Sequence, residues 1–228
     1  MIVTGAMAGT PFERLIASCA DDWAQYTQHS FVCQLGQGTL SASAFRHYLQ
    51  QDYLFLIHFA RAWGLAVYKS RGIADLREAF GSLKTIVDVE LGLHEAYCAE
   101  WGISEHDLAS LEEARPTIAY TRYVLDTGNR GDLVDLHVAL APCLIGYGAI
   151  ANWLADQPWT RLDDNAYAPW IAMYAGAEFQ QAMQAEINWL NRHLAEVSPA
   201  RFAELSRVFR EATRLEADFW QMGLDFIV

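Results

Sequence analysis

Residues 136–155 read LHVALAPCLIGYGAIANWLA, twenty positions without Asp, Glu, Lys or Arg, and how this stretch is read decides the fold. By length alone it can cross a bilayer. By the pattern Gly146-Tyr147-Gly148-Ala149-Ile150-Ala151 it matches the G-x-G-x-x-A turn of a dinucleotide-binding strand-to-helix unit. By the spacing of its large side chains it is a helix in a helical core, and this reading prevails. Pro142, Gly146, Gly148 and Asn152 interrupt the run, and Asp132, Asp135 and Asp156 flank it where a membrane span favours Lys or Arg. The apolar seam Leu133, Leu136, Leu140, Cys143, Tyr147, Ile150, Leu154 passes straight through the glycines at 3-4 spacing. The small residues therefore serve to let another helix or a ligand come close.

The same periodicity extends outward over 11–29, 42–70, 75–101, 117–127, 132–156, 167–195 and 199–223, and no alternating strand pattern competes with it. Short Gly-, Pro- or Asx-containing breaks separate these segments, too short to be interdomain linkers. Ser198 is placed to cap the last helix and Pro199 suits its first turn. The expectation is an all-α protein, one domain over 1–228. With 228 residues, 53% of them hydrophobic, the chain can bury a large core, which excludes intrinsic disorder. A net charge of −12 gives it no electrostatic reason to bind nucleic acid or an anionic membrane surface. Cys19, Cys33, Cys98 and Cys143 show no C-x-x-C spacing, and Met1 to Gly5 show no leader pattern; a cytoplasmic location is expected.

The informative residues are those that break the apolar rule on a seam. On 42–70 the seam Phe45, Leu49, Asp52, Leu56, Phe59, Trp63 turns an acid to the core. On 75–101 the seam Leu76, Phe80, Leu83, Val87, Glu90, His94, Tyr97, Trp101 places Glu90 and His94 one turn apart, as a hydrogen-bonded pair or, less simply, as metal ligands. On 199–223 the seam Phe202, Leu205, Phe209, Ala212, Glu216, Phe219 again carries a core acid. Burying a carboxylate without a partner costs several kcal/mol. Acids retained on separate helices, with few basic residues on the same seams, point to a shared polar cavity. No histidine has Glu three residues before it, so the Glu-x-x-His pairs of a ferritin-like di-iron bundle are missing.

Gln51-Asp52-Tyr53, the segment Pro116 to Thr121, Pro142-Cys143 followed by Tyr147, Trp170 to Tyr174 and Glu216 to Trp220 occur in one order along nearly the whole chain. In this combination the chain resembles the TenA family, the thiaminase II or aminopyrimidine aminohydrolases. The resemblance implies an all-helical heme-oxygenase-like bundle without heme, and a homotetramer. It also implies that Cys143 is a nucleophile and Glu216 a catalytic acid. Asp52 would hold the aminopyrimidine, with Tyr120, Tyr147 and Tyr174 lining its site and Glu90 and His94 behind them. Phe55 stands where many members carry a tyrosine thought to assist the cysteine, so Phe55→Tyr is expected to raise activity.

A 4-aminopyrimidine suits such residues, offering a flat ring for aromatic packing, an amino donor for Asp52 and ring nitrogens whose protonation makes the ring electrophilic. A carboxyl in apolar surroundings is held protonated, as a proton donor near neutral pH must be. The function expected is therefore cofactor-free, metal-free hydrolysis in thiamin salvage. It would release 4-amino-5-hydroxymethyl-2-methylpyrimidine from the aminomethyl compound and from thiamin itself. Two other readings stand beside it. One is an oxidase of the same fold, like pyrroloquinoline-quinone synthase or with a metal pair on Glu90, His94 and Glu216. The other is a non-catalytic pyrimidine-binding regulator.

Overall fold

The computed structural model describes residues 9–226; Met1 to Gly5, where no leader pattern is read, lie outside them. Among the described residues every regular element is helical: α1 Pro11–Ser18, α2 Ala20–Thr27, α3 Ser30–Gln37, α4 Ala42–Lys69, α5 Ile73–Thr85, α6 Leu91–Glu100, α7 Glu105–Ala109, α8 Arg115–Arg130, α9 Leu133–Ala155, α10 Ala168–Ala175, α11 Ala177–Leu194 and α12 Pro199–Asp225. The chain forms two compact units. One takes residues up to Leu40 and His137–Trp220; the other takes Ser41–Leu136 and the chain from Gln221 onward.

In the first unit the core is aromatic. Phe209 of α12 meets Phe12 of α1 edge-on at 5.9 Å and stacks on Trp23 of α2 at 5.6 Å, arrangements favoured by ring quadrupoles. Asn191 of α11 accepts from the Phe12 backbone N–H at 2.9 Å, which satisfies one of the orphan donors at the start of α1. The apolar helix α9 behaves as its seam predicts: 72% of its most apolar window is buried inside the protein. Its glycines do the work expected of small residues. A Cβ on Gly146 would lie 2.3 Å from the Tyr26 ring, and one on Gly148 2.5 Å from Met183 Sδ. The Ser198 cap of α12 is present, its hydroxyl accepting from Arg201 N–H at 3.2 Å.

In the second unit α4 is the central element, N-capped by Ser41 and packed against α5, α6 and α8. The buried Gln51 amide ties α8 to it. Its Oε1 accepts from Ala114 N–H at 2.9 Å and from Thr117 Oγ1 at 2.7 Å, and its Nε2 donates to the Glu112 carbonyl at 3.0 Å. With donor and acceptor both engaged, the desolvation of this buried amide is offset by its hydrogen bonds. At the other end of α4, Lys69 Nζ donates to the Gly131 carbonyl at 2.8 Å, just beyond the C-terminus of α8.

The stretch 75–101 departs from its expected seam. A π-helical turn, Ile86–Glu90, separates α5 from α6. The buried positions are Ala79, Ile86 and Cys98, whereas Phe80 and Val87 are 53% and 51% exposed. The expected seam follows the large residues. Packing instead turns the small Ala79 inward, and the wider turn adds a residue to the register.

Candidate active site

On α4, Asp52 is 5% exposed. Tyr48, one turn earlier, donates to its Oδ2 at 3.3 Å, and His94 Nδ1 of α6 lies 3.6 Å from the same oxygen. Burial pushes the Asp52 carboxyl up, and the histidine and the tyrosine hydroxyl oppose the shift. His94 Nε2 lies 2.9 Å from the Leu49 carbonyl. A carbonyl can only accept, so Nε2 carries a hydrogen. The two ring nitrogens of His94 thus face groups of α4, Nε2 the Leu49 carbonyl and Nδ1 the Asp52 carboxyl, while Glu90, expected beside His94, lies in the π-helical turn. Three residues after Asp52, the buried Phe55 ring stacks on Phe59 at 5.7 Å and on Tyr120 of α8 at 5.0 Å.

On α9, Cys143 is half-buried one turn before Tyr147. The Tyr147 ring is walled by Tyr174 at 5.0 Å and Trp170 at 5.8 Å, both from α10, and by Trp220 of α12 at 5.3 Å. Trp220 lies one turn after Glu216, which is 1% exposed. The Tyr26 hydroxyl donates to the Pro142 carbonyl at 3.1 Å, the peptide that leads into Cys143. This approach is possible only because Gly146 has no side chain. The structure therefore brings together Tyr147 with Tyr174, Phe55 with Tyr120, and Asp52 with His94.

Sequence reasoning did not assign Tyr48, Tyr26, Trp170 or Trp220 a place beside these residues. Tyr48 and Trp220 had a local signal, a hydroxyl or ring one helical turn from a core acid. Tyr26 had none, since 116 residues separate it from its acceptor. Burial pushes the Cys98 thiol up to about 12 and the Cys19 thiol up to about 11, so neither supplies thiolate near neutral pH. No disulfide joins the four cysteines. Among the described residues no three His, Cys, Asp or Glu side chains gather as a metal-ion site.

The chain is 35% identical over 201 residues to an aminopyrimidine aminohydrolase of Halalkalibacterium halodurans, covering 88% of this chain and 89% of that one. It is 32% identical over 204 residues to an aminopyrimidine aminohydrolase of Helicobacter pylori, covering 88% and 92%. A crystal structure described as a TenA family transcription regulator from a Silicibacter species superposes with a TM-score of 0.88 at 42% identity, over 95% of this chain and 97% of that one. A Shewanella denitrificans domain with a heme oxygenase-like fold superposes at 0.71 with 13% identity, over 94% and 92%. The fold is thus the all-helical heme-oxygenase-like bundle. The family model for TENA/THI-4/PQQC matches residues 16–226, across both units, and the chain belongs to that family.

Proposed function

We propose that the protein is an aminopyrimidine aminohydrolase of thiamin salvage, converting 4-amino-5-aminomethyl-2-methylpyrimidine and water to the 5-hydroxymethyl compound and ammonia, and acting on thiamin with the thiazole as leaving group. The observation that carries this reading is the aromatic cluster of Tyr147, Trp170, Tyr174 and Trp220, suited to a flat heterocycle, with Cys143 one helical turn before Tyr147 on the same helix. The names of the two bacterial relatives support it.

In the proposed sequence the Cys143 thiolate adds to the pyrimidine ring as Glu216 gives its proton to a ring nitrogen. The electron pair then expels the amine from the exocyclic methylene, and the ring-nitrogen proton leaves with it as ammonia. Water adds to that methylene, its spare proton returning to the carboxylate, and the thiolate leaves with the ring aromatic again. No oxidant or metal enters this balance. Asp52 accepts from the 4-amino group, and Tyr120, Tyr147 and Tyr174 pack on the ring.

The decisive experiment follows ammonia and the hydroxymethylpyrimidine from the aminomethyl substrate in water enriched in ¹⁸O. Stoichiometric ammonia with the label in the new hydroxyl is expected; no product from either the aminomethyl compound or thiamin refutes the assignment. We also propose a cytoplasmic homotetramer. The absence of disulfides supports the location, and the exposed apolar side chains of α5 and α6 support the assembly.

A further inference from the structure

We propose that His94 is a positioning residue that carries a positive charge and thereby keeps Asp52 a carboxylate, the form able to accept a hydrogen bond from the amino edge of the substrate. The inference rests on the reading of Asp52 as the acceptor for that amino group and adds to it a group that does not touch substrate. It begins with the Leu49 carbonyl, which anchors His94 Nε2 at 2.9 Å and requires a hydrogen there. Nδ1 is then either a bare lone pair or a second N–H, and it faces Asp52 Oδ2 at 3.6 Å in a site where the two side chains are 9% and 8% exposed. A bare lone pair facing a carboxylate is repulsive, which favours a further proton in the pair, on the acid or on the ring.

The surroundings decide which. Tyr48, from the helix of Asp52 itself, donates its hydroxyl to Oδ2, an interaction that favours the carboxylate. From α6 the carboxylate also faces Cys98, whose thiol stays neutral, and Glu95 lies beyond it, acting on Cys98 and on Tyr53. Tyr53 stacks on the His94 ring at 6.4 Å. The positive group that acts on this carboxylate is His94, and the π-helical turn, which also packs on α4, carries Glu90 one turn before it. Both contacts engage Oδ2, which leaves Oδ1 for a donor. The Tyr48 hydroxyl already favours the carboxylate in the free protein and so places the proton on the ring, and a 4-amino group arriving at Oδ1 binds that carboxylate more tightly than a neutral acid. Without that cation, a buried acid takes up the proton and loses acceptor capacity.

The test reads the wild-type protein first. Ring-nitrogen shifts of His94 and the carboxyl-carbon shift of Asp52 are followed by NMR from about pH 8 to about pH 6, assigned with His94→Gln and Asp52→Asn or, if either fails to fold, by through-bond correlation to the backbone. Hydrogen on both ring nitrogens beside an ionised Asp52 at about pH 7 is expected. A neutral His94 ring, or a protonated Asp52, overturns the proposal. His94→Gln keeps a donor for the Leu49 carbonyl but no charge. In that variant the KM for the aminomethylpyrimidine should rise about tenfold as the pH falls across this range, with kcat little changed. In an Asp52→Asn background the same substitution should produce no pH dependence. A loss that is equal at every pH, or that persists unchanged in the Asp52→Asn background, shows that His94 only packs and overturns the proposal. The spectroscopic measurement needs no substrate. An intact ion pair in a protein that hydrolyses no aminopyrimidine would refute the proposed function and leave the ion pair standing without its role toward that substrate.

Discussion

Cys143, the proposed nucleophile, and Phe55, three residues after Asp52, are the positions where single substitutions test the proposed chemistry. Cys143→Ala removes one sulfur atom from a half-buried position, so the helical content and melting temperature should stay near wild type while hydrolysis falls by at least about a thousandfold. Retained turnover in a folded Cys143→Ala protein would assign the nucleophile elsewhere. Phe55→Tyr adds a hydroxyl at the para edge of a ring that stacks on Phe59 and on Tyr120. A hydrogen bond to a charged group contributes about 1.5–3 kcal/mol. Partial expression of that energy in the transition state predicts a rise in kcat of up to about tenfold. A variant that melts lower and turns over no faster would show that the ring edge meets packed apolar atoms, where an unpaired hydroxyl only costs stability.

Among the elements, the helix glycines separate two roles that composition cannot distinguish. On α9, Gly146 admits the Tyr26 ring, which is itself fully buried and stacked on Trp220 at 6.4 Å. Ala at this position gains about 1 kcal/mol of helix propensity but forces a ring that has nowhere to go, a strain of about 1–3 kcal/mol. Gly146→Ala should therefore lower the melting temperature by several degrees and reduce turnover, since the displaced Tyr26 hydroxyl no longer holds the Pro142 carbonyl. On α4, a Cβ at Gly64 meets nothing within 4 Å. Gly64→Ala should raise the melting temperature by about 2–4 °C. Thermal denaturation of the two variants side by side checks both signs, and a stabilised Gly146→Ala would mean that Tyr26 relaxes freely.

For the whole molecule, the exposed apolar side chains of α5, the π-helical turn and α6 are the main liability. Ile73, Phe80, Val87 and Leu93 are each more than half exposed. Side chains of this kind gathered on neighbouring turns are covered in a stable assembly. Light scattering at micromolar protein should give the mass of four chains. Phe80→Asp together with Leu93→Asp should shift it to a smaller species with unchanged helical content. A monomeric wild-type peak would remove the tetramer from the account.

What the sequence determined by itself was whatever short-range periodicity encodes: an all-helical chain, the seams of α4, α9 and α12, and the presence of Asp52 and Glu216 at core positions, because 3-4 spacing aligns side chains within a single helix. Tertiary structure decided the rest. It ended α1 at Ser18 and α10 at Ala175, which the periodicity ran through, made a helix of Ser30–Gln37, and extended α8 to Arg130. It turned Ala79 inward in place of Phe80. It also gave His94 to Asp52, and Tyr26 to the peptide before Cys143, across separations that no local pattern records. The physical reason is common to these cases. A helix face is chosen by local geometry, but its partner is chosen by which distant side chain satisfies a buried polar group or fits a gap that a glycine leaves open.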